Sequence, residues 1–503
     1  MSKNKEKRWR HTSPLAAIFY LGKIYKAIAQ NAVQTFAPLF ALLVATQGNL
    51  VGKVALGTVG FVTITVVSAI VRYWFFRYRI TDDSVLIREG VFNKTQLDIK
   101  FDRIQAINTQ QNIIFRQFDL VTIQFDTAGS SKQEGNLPAI KSELAESLKA
   151  RIRTERRQET IDEDGNAEPL TDSRMLLRLD NLDMVRIGLS SGRVLIVLAL
   201  LGPLMDNIDK RVEQFISESD IVAILNNAGI SVASGAGLVI SVIFLLLVLL
   251  AGAAIAGAFL RYYNFDLRAE EDTLRSTGGL LTRHEHSINL AKIQSLRAIQ
   301  NPVLRIFRRY RLRAKQASSG KPGKGKQFVV PICDAEQLPT LSNEVFGTEF
   351  DGVELEPRSS SFQPIAKHYI RSRFLAFGFL PAVIVTSLFY VLIGKFALVF
   401  LIWLPISALA VWHHYRKFGF AIADNGVVLR RGFIGYQTVA FLHRKVQRIN
   451  VTQTPLQERK GLATIRFYLA SGSLRLPYVD HEMAKRLRDY ILYKVESSQL
   501  AWH

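Results

Sequence analysis

Five long apolar runs interrupt a polar, basic chain: Phe36 to Val51, Val54 to Phe76, Ala236 to Leu260, Phe374 to Ile393 and Phe396 to Trp412. Each reaches or approaches the roughly 17–25 residues that a helix needs to cross a bilayer. A sixth run, Ile187 to Leu204, is interrupted by Arg193 and closed by Pro203, and is counted as a span. The runs fall into three pairs. Within the pairs, the connections Gln47 to Lys53, Met205 to Gly235 and Gly394-Lys395 hold only Lys53, Lys210, Arg211 and Lys395. The flanks Arg72 to Arg79, Arg174 to Arg186, Arg371 to Arg373 and Arg416-Lys417 are far more basic. The positive-inside rule therefore puts both termini and all the polar segments on the cytoplasmic side. The basic start, MSKNKEKRWRHTSPLAAIFYL, has no small-residue cleavage site before the first run and is expected to be retained.

Three polar segments follow the three pairs, and they read alike. Tyr78 to Gly90 leads to Leu97-Asp-Ile-Lys-Phe-Asp-Arg-Ile-Gln105, and Phe420 to Gly432 leads to Val439-Ala-Phe-Leu-His-Arg-Lys-Val-Gln447. Between them, Leu267 to Gly279 leads to Ile288-Asn-Leu-Ala-Lys-Ile-Gln294. The spacing from Gly90 to Gln105, from Gly279 to Gln294 and from Gly432 to Gln447 is the same. Alternation such as Leu97, Ile99 and Phe101 predicts half-buried antiparallel strands, and Asp424-Asn-Gly426 predicts a hairpin. Each segment also carries a proline-marked strand, at Pro138, Pro331 and Pro477. Ile140, Leu144, Leu148 and Ile152 predict a closing helix in the first segment, and Met483, Leu487, Ile491 and Val495 predict one in the third. In the second, Pro339 argues against such a helix. The expected fold is membrane α + β, with three helical hairpins (six helices) alternating with three β-sandwich or open-barrel modules, the first and third capped by a helix.

Composition narrows the partners. Apolar residues make up 48%, and 64 Lys and Arg against 43 Asp and Glu leave a net charge of +21. With a mean hydropathy of +0.12, this describes a membrane protein facing anionic surfaces. The one cysteine, Cys333, excludes an internal disulfide framework and any multi-cysteine metal site.

The hairpin-plus-module order, the signature residues Gly90, Gly279 and Gly432, the pairs ending in Gln105, Gln294 and Gln447, and the following Gln110-Gln111-Asn112 and Gln453-Thr454-Pro455-Leu456 resemble YdbT-type bacterial membrane proteins with pleckstrin-homology-like (PH-like) domains. The resemblance covers nearly the whole chain. It implies a bacterial cytoplasmic membrane location and an envelope-associated role, such as defence against membrane-active peptides. As partner it implies a smaller PH-like membrane protein or a second copy. The corresponding division is 1–77, basic segment and hairpin one; 78–153, PH-like domain one; 154–186, linker; 187–261, hairpin two; 262–346, PH-like domain two; 347–373, linker; 374–413, hairpin three; and 414–496, PH-like domain three.

Gly320, Gly325 and Lys326 have the spacing of a phosphate-binding loop, yet Gln327 replaces the required Ser or Thr and an extended run follows where a helix is needed. The segment is read as a hairpin tip. Its neighbourhood is strongly basic, with Arg305, Arg308, Arg309, Arg311, Arg313, Lys315, Lys321, Lys324 and Lys326 and no acid from Arg305 to Lys326. This strip is the expected contact with anionic phospholipid, its alternative being a solvated hairpin. Nucleic acid is not expected, because only Phe307 and Tyr310 interleave with the charge and no recognition helix appears. His284-Glu-His286 lacks further ligands at a metal-site spacing, so no cofactor or metal is expected. Arg193 is the ionisable residue inside an apolar run, and it snorkels or marks a pathway. Without a nucleophile elbow or an acid pair, the chain is expected to be a non-enzymatic scaffold, with a domain-gated transporter as the alternative.

Overall fold

The structure is a computed structural model and describes residues 9–31, 50–91, 93–127, 135–164, 173–191, 235–270, 272–317, 327–350, 355–357 and 361–497. It divides into two compact units, Met1–Ser173 with Arg275–Thr277 and Leu281–Asn289, and Arg174–Leu274 with Gly278–Leu280 and Leu290–His503.

Along the chain, α1 (Ala16–Gln30) and the apolar α2 (Leu50–Phe75) precede β1 (Arg77–Ile80), β2 (Ser84–Glu89) and β3 (Thr95–Lys100). A 3-10 turn leads to β4 (Ile104–Asn112), the short α3 (Ile113–Gln117), β5 (Leu120–Thr127), β6 (Asn136–Lys141) and α4 (Ser142–Asp164). After β7 (Arg174–Arg178), α5 (Asn181–Leu189) and the apolar α6 (Gly235–Tyr262), the same order returns. Its members are β8 (Asp266–Glu270), β9 (Thr273–Gly278), β10 (Thr282–Asn289), β11 (Ile293–Gln300), α7 (Pro302–Ile306), β12 (Tyr310–Gln316), β13 (Gln327–Cys333) and α8 (Gln337–Phe346). The third round begins with β14 (Gln363–Pro364), α9 (His368–Phe374), α10 (Leu380–Ile393) and α11 (Trp403–Lys417). It continues with β15 (Gly419–Ile422), β16 (Gly426–Arg431), β17 (Tyr436–Leu442), β18 (Val446–Thr452), α12 (Pro455–Glu458), β19 (Leu462–Leu469), β20 (Gly472–Asp480) and α13 (His481–Ser497).

The repeat holds down to single hydrogen bonds. Asn112, Asn301 and Thr454, at one repeat position, each cap a short helix by accepting from the backbone N–H three residues on, at 2.7, 2.8 and 3.3 Å. Pro138, Pro331 and Pro477 each fall where the pairing with the neighbouring strand slips, because a bulge tolerates a residue with no N–H to donate. One expectation is corrected: the second module does have a closing helix, α8. Pro339 is its third residue, in the first turn, where a missing N–H costs no intrahelical bond. A second boundary also moves, since Ile140 lies in β6, which ends at Lys141, and α4 begins at Ser142.

In the first unit, Val85, Ile87, Ile99, Ile123, Phe125 and Leu137 from the strands form one core with Ala145, Leu148 and Ile152 of α4. In the second unit, Val427, Val439, Phe441, Ile465, Phe467 and Leu476 do the same with Leu487, Ile491 and Val495 of α13. Each buried Val, Leu, Ile or Phe among them contributes roughly 1.5–3 kcal/mol.

The outer edge of β4 is taken by β10, with Arg283, His284 and Glu285 opposite Gln111, Gln110 and Thr109. The outer edge of β11 is taken by β17, with Tyr436, Gln437 and Thr438 opposite Gln300, Ile299 and Ala298. Counted from the signature glycines, these are the same positions. The first junction is pinned by Glu285, which accepts from Lys149 Nζ at 2.9 Å and from Thr109 Oγ1 at 2.8 Å and pairs with Arg275 at 2.7 Å. Burial alone would raise its carboxyl, but Lys149 and Arg275 outweigh burial and hold it below the usual range.

Three described stretches are long and apolar enough to cross a membrane: Gly57–Phe75, Phe244–Tyr262 and His368–Lys417. The last folds back at Gly394, whose φ of 58° favours glycine. Its arms pack through Phe389 and Phe400, 5.1 Å between ring centroids, and Trp403 Nε1 donates to Phe377 O at 2.9 Å. A π-helical turn, Leu375–Phe379, brings Gly378 against Ser407, where any Cβ would collide with the hydroxyl. The expected span 36–51 lies outside the described residues except for its end from residue 50, and so does the run Ile187 to Leu204 beyond Ser191.

Replacing Glu285 with Gln leaves Lys149 and Arg275 facing one another and is expected to destabilise the β4–β10 junction by about 3 kcal/mol, read as faster amide exchange in both strands. His443, buried against Tyr490, is pushed down to about 4, first by burial and then by Lys494. An unfolded histidine takes up its proton near pH 6.5. The second unit is therefore expected to lose stability as pH falls from about 6.5 to about 4, and His443→Leu should flatten that slope in acid titrations of its unfolding.

Candidate functional site

The basic strip separates into groups with different tasks. Arg305 and Arg308 are exposed, and the Arg305 guanidinium lies 5.6 Å from the centroid of the Tyr436 ring. Lys417, at the end of α11, donates to Phe433 O at 2.6 Å and Ile434 O at 3.0 Å, while His414 Nδ1 lies 2.6 Å from Gly432 O. The signature-glycine hairpin of the third module is thereby clamped to the end of an apolar helix, with Phe433 and Ile434 exposed on it.

Two further residues of the strip are committed to the protein. Arg309 pairs with Asp334 at 2.9 Å. Arg311 donates to Pro331 O at 3.3 Å and to Ser190 Oγ at 3.4 Å, near Arg261 and Tyr262 at the end of α6. Lys321, Lys324 and Lys326, like Arg193, lie outside the described residues. β13 begins at Gln327 and pairs antiparallel with β12, so Lys326 is followed by a strand.

Arg313 and Lys315 turn elsewhere. Arg313 is directly opposite Arg297 of β11, and Lys315 is opposite Ser295. Arg431 of β16 faces Gln437, which faces Ile299 of β11, so Arg431 joins the same face of the sheet. The β19–β20 hairpin lies over this face. Between them is a cavity of about 230 Å³ lined by Ser295, Arg297, Lys315, Leu469, Ser471, Gly472, Ser473 and Leu474, with no acidic residue in its lining.

Like charges directly opposite one another in a sheet are destabilising. Burial, then Arg431 and Arg313, pushes Arg297 down to about 10. Lys315, only 8% exposed, is lowered by burial and by Arg297 and Arg431. Arg297 Nε, Arg313 Nε and Ser295 Oγ, all on this face, are buried with no hydrogen-bond partner among the described residues. An orphaned buried donor costs about 1–3 kcal/mol. An anion with several oxygens would supply the missing acceptors and reverse the sign of the local field, and planar guanidinium groups beside hydroxyls suit a phosphate-type group.

Sequence reasoning found Arg313 and Lys315 but missed Arg297, Arg431 and the Ser471–Ser473 turn. The alternation Ser295, Arg297 against Arg313, Lys315 was visible, but its meaning depends on the register. The signature glycines sit at the β2–β3, β9–β10 and β16–β17 hairpins, where a Cβ on Gly90 or Gly432 would collide with a carbonyl oxygen across the turn. Gln105, Gln294 and Gln447 are each the second residue of the strand after the 3-10 turn; Gln294 is buried and Gln447 exposed. His284 and His286 stack with ring centroids 5.9 Å apart, while Glu285 between them engages Lys149.

The family described as "Bacterial PH domain" matches residues 17–156, 221–346 and 375–495. The chain is 26% identical over 478 residues to the UPF0699 transmembrane protein YdbT of Bacillus subtilis (strain 168), covering 92% of each. It is 27% identical over 82 residues to the UPF0699 transmembrane protein YdbS of the same organism, covering 16% of this chain and 50% of that one. No solved structure matches.

Phosphate or sulfate is expected to raise the unfolding midpoint of the detergent-solubilised protein at low ionic strength. Arg297→Met is expected to stabilise the anion-free protein by about 1–2 kcal/mol, by removing one of four crowded cations, and to abolish the response to anion. Thermal scans of both proteins with and without phosphate check this.

Proposed function

The chain belongs to the bacterial PH domain family, and from that premise we propose that it is a non-enzymatic scaffold of the bacterial cytoplasmic membrane, presenting its PH domains to anionic phospholipid and to protein partners at the inner leaflet. The observation that carries this reading is the clamp between the third module and the end of its helical hairpin, made by Lys417 and His414 on the Gly432–Ile434 turn. It holds the exposed Phe433 and Ile434 where the apolar helix ends and sets Arg305 beside them. Apolar tips dip into a headgroup layer while neighbouring cations meet its phosphates. The buried cradle adds a second place for a phosphate-bearing group. Several weak, tethered contacts on one chain then act by avidity. A role in protecting the envelope from membrane-active peptides, with a smaller PH-domain membrane protein as partner, fits such a platform.

The test is lipid binding by the intact protein in detergent, titrated with a short-chain anionic phospholipid and read by native mass spectrometry. Arg305→Gln with Arg308→Gln is expected to weaken binding roughly thirtyfold, at about 1 kcal/mol per charge, while a zwitterionic lipid is unaffected. Equal binding of both lipids by parent and variant would sink the reading.

A further inference from the structure

We propose that copies of this chain join head to tail by pairing the free edge of β18 in one copy with the free edge of β3 in the next. Both strands end their three-stranded sheets, in the orders β1-β2-β3 and β18-β19-β20. Among the described residues neither has a partner on its outer edge, whereas its counterparts are paired elsewhere in the chain. β3 corresponds to β10 and β17, and β18 corresponds to β4 and β11.

The correspondence extends to shape. β4 slips between Ile104 and Ala106, β11 between Ile293 and Ser295, and β18 between Val446 and Arg448. Counted from Gly90, Gly279 and Gly432, these three irregularities occupy the same place. β18 therefore carries the same irregularity as the two strands that already accept an incoming strand just beyond it. On the other side, Thr95, Gln96, Asp98 and Lys100 of β3 are exposed, as are Gln447, Arg448 and Thr452 of β18. Unpaired N–H and C=O groups along such edges are templates for another strand.

The register follows from the internal junctions. His284 faces Gln110, and Gln437 faces Ile299. In both pairs the residue five past one signature glycine meets the residue twenty past the preceding one. Applied across copies, the rule sets Thr95 opposite Thr452 and Gln96 opposite Val451. The partner is a second copy because this chain holds both halves of the joint. A joint between two different surfaces propagates, giving a ring where the rotation closes and an open row where it does not.

The test uses the full-length protein in its native membrane. Its single native cysteine, Cys333, is buried, and burial raises its thiol, so it stays silent. Thr95→Cys and Thr452→Cys are placed on two differently tagged copies expressed together, and the membranes are oxidised. The expected product is a reducible dimer carrying both tags, and the double variant should give a ladder of higher species. A control pair of Asp98→Cys with Thr452→Cys, three residues out of register and about 10 Å further apart, should give about tenfold less. No disulfide in the matched pair, equal yield from the shifted pair, or capture of Thr452→Cys by a smaller protein in place of the tagged copy would each overturn the proposal.

Discussion

The architecture depends on one constraint: the chain just before each apolar segment is hydrogen-bonded to the chain just after it. Arg10 bridges Tyr78, β7 pairs with β8, and β14 pairs with β15. A second tie recurs as Ser13 N–H to Ala139 O at 3.1 Å and Ala366 N–H to Tyr478 O at 2.8 Å, each time at the residue after the proline bulge. Strand partners lie about 5 Å apart, so the chain entering an apolar segment and the chain leaving it are held side by side.

The second constraint is the shared sheet. In the second unit, β13-β12-β11-β17-β16-β15-β14 form one seven-stranded sheet. At its β11–β12 end, Leu296, Ala298, Leu312 and Ala314 are buried on one face; at its β16–β17 end, Val427, Leu429, Val439 and Phe441 are buried on the other. Strand alternation then obliges the reverse of the first half to carry Ser295, Arg297, Arg313 and Lys315. Left in water these cations would repel one another weakly. Under the β19–β20 hairpin they are partly desolvated, and repulsion grows as the local dielectric falls. The cradle is thus a product of the junction and belongs to no single module.

Much of the fold was legible because it is written three times. The Gly-to-Gln spacing located equivalent strands before any pairing was known, and the strands carrying Pro138, Pro331 and Pro477 are all present. Pro339 misled, because a proline forbids a helix only beyond its first turn, and where a helix begins is set by a tertiary neighbour. The membership of the basic strip misled for another reason. Adjacent residues such as Arg309, Arg311 and Arg313 have different partners, an acid, a hydroxyl and another guanidinium, and sequence proximity does not distinguish them. Register does, and register between modules is a long-range property.

The ties across the apolar segments also order events during synthesis. β14 is made before the helical hairpin that ends at Lys417, while its partner β15 is made after it. The third module therefore cannot complete its sheet while the hairpin is still emerging, and contacts of such separation close late. The helical hairpin is therefore complete before the module can be assembled. A ribosome stalled between Gln363 and Gly419 would hold a strand with exposed edge groups and no sheet to join, a state open to quality-control proteases.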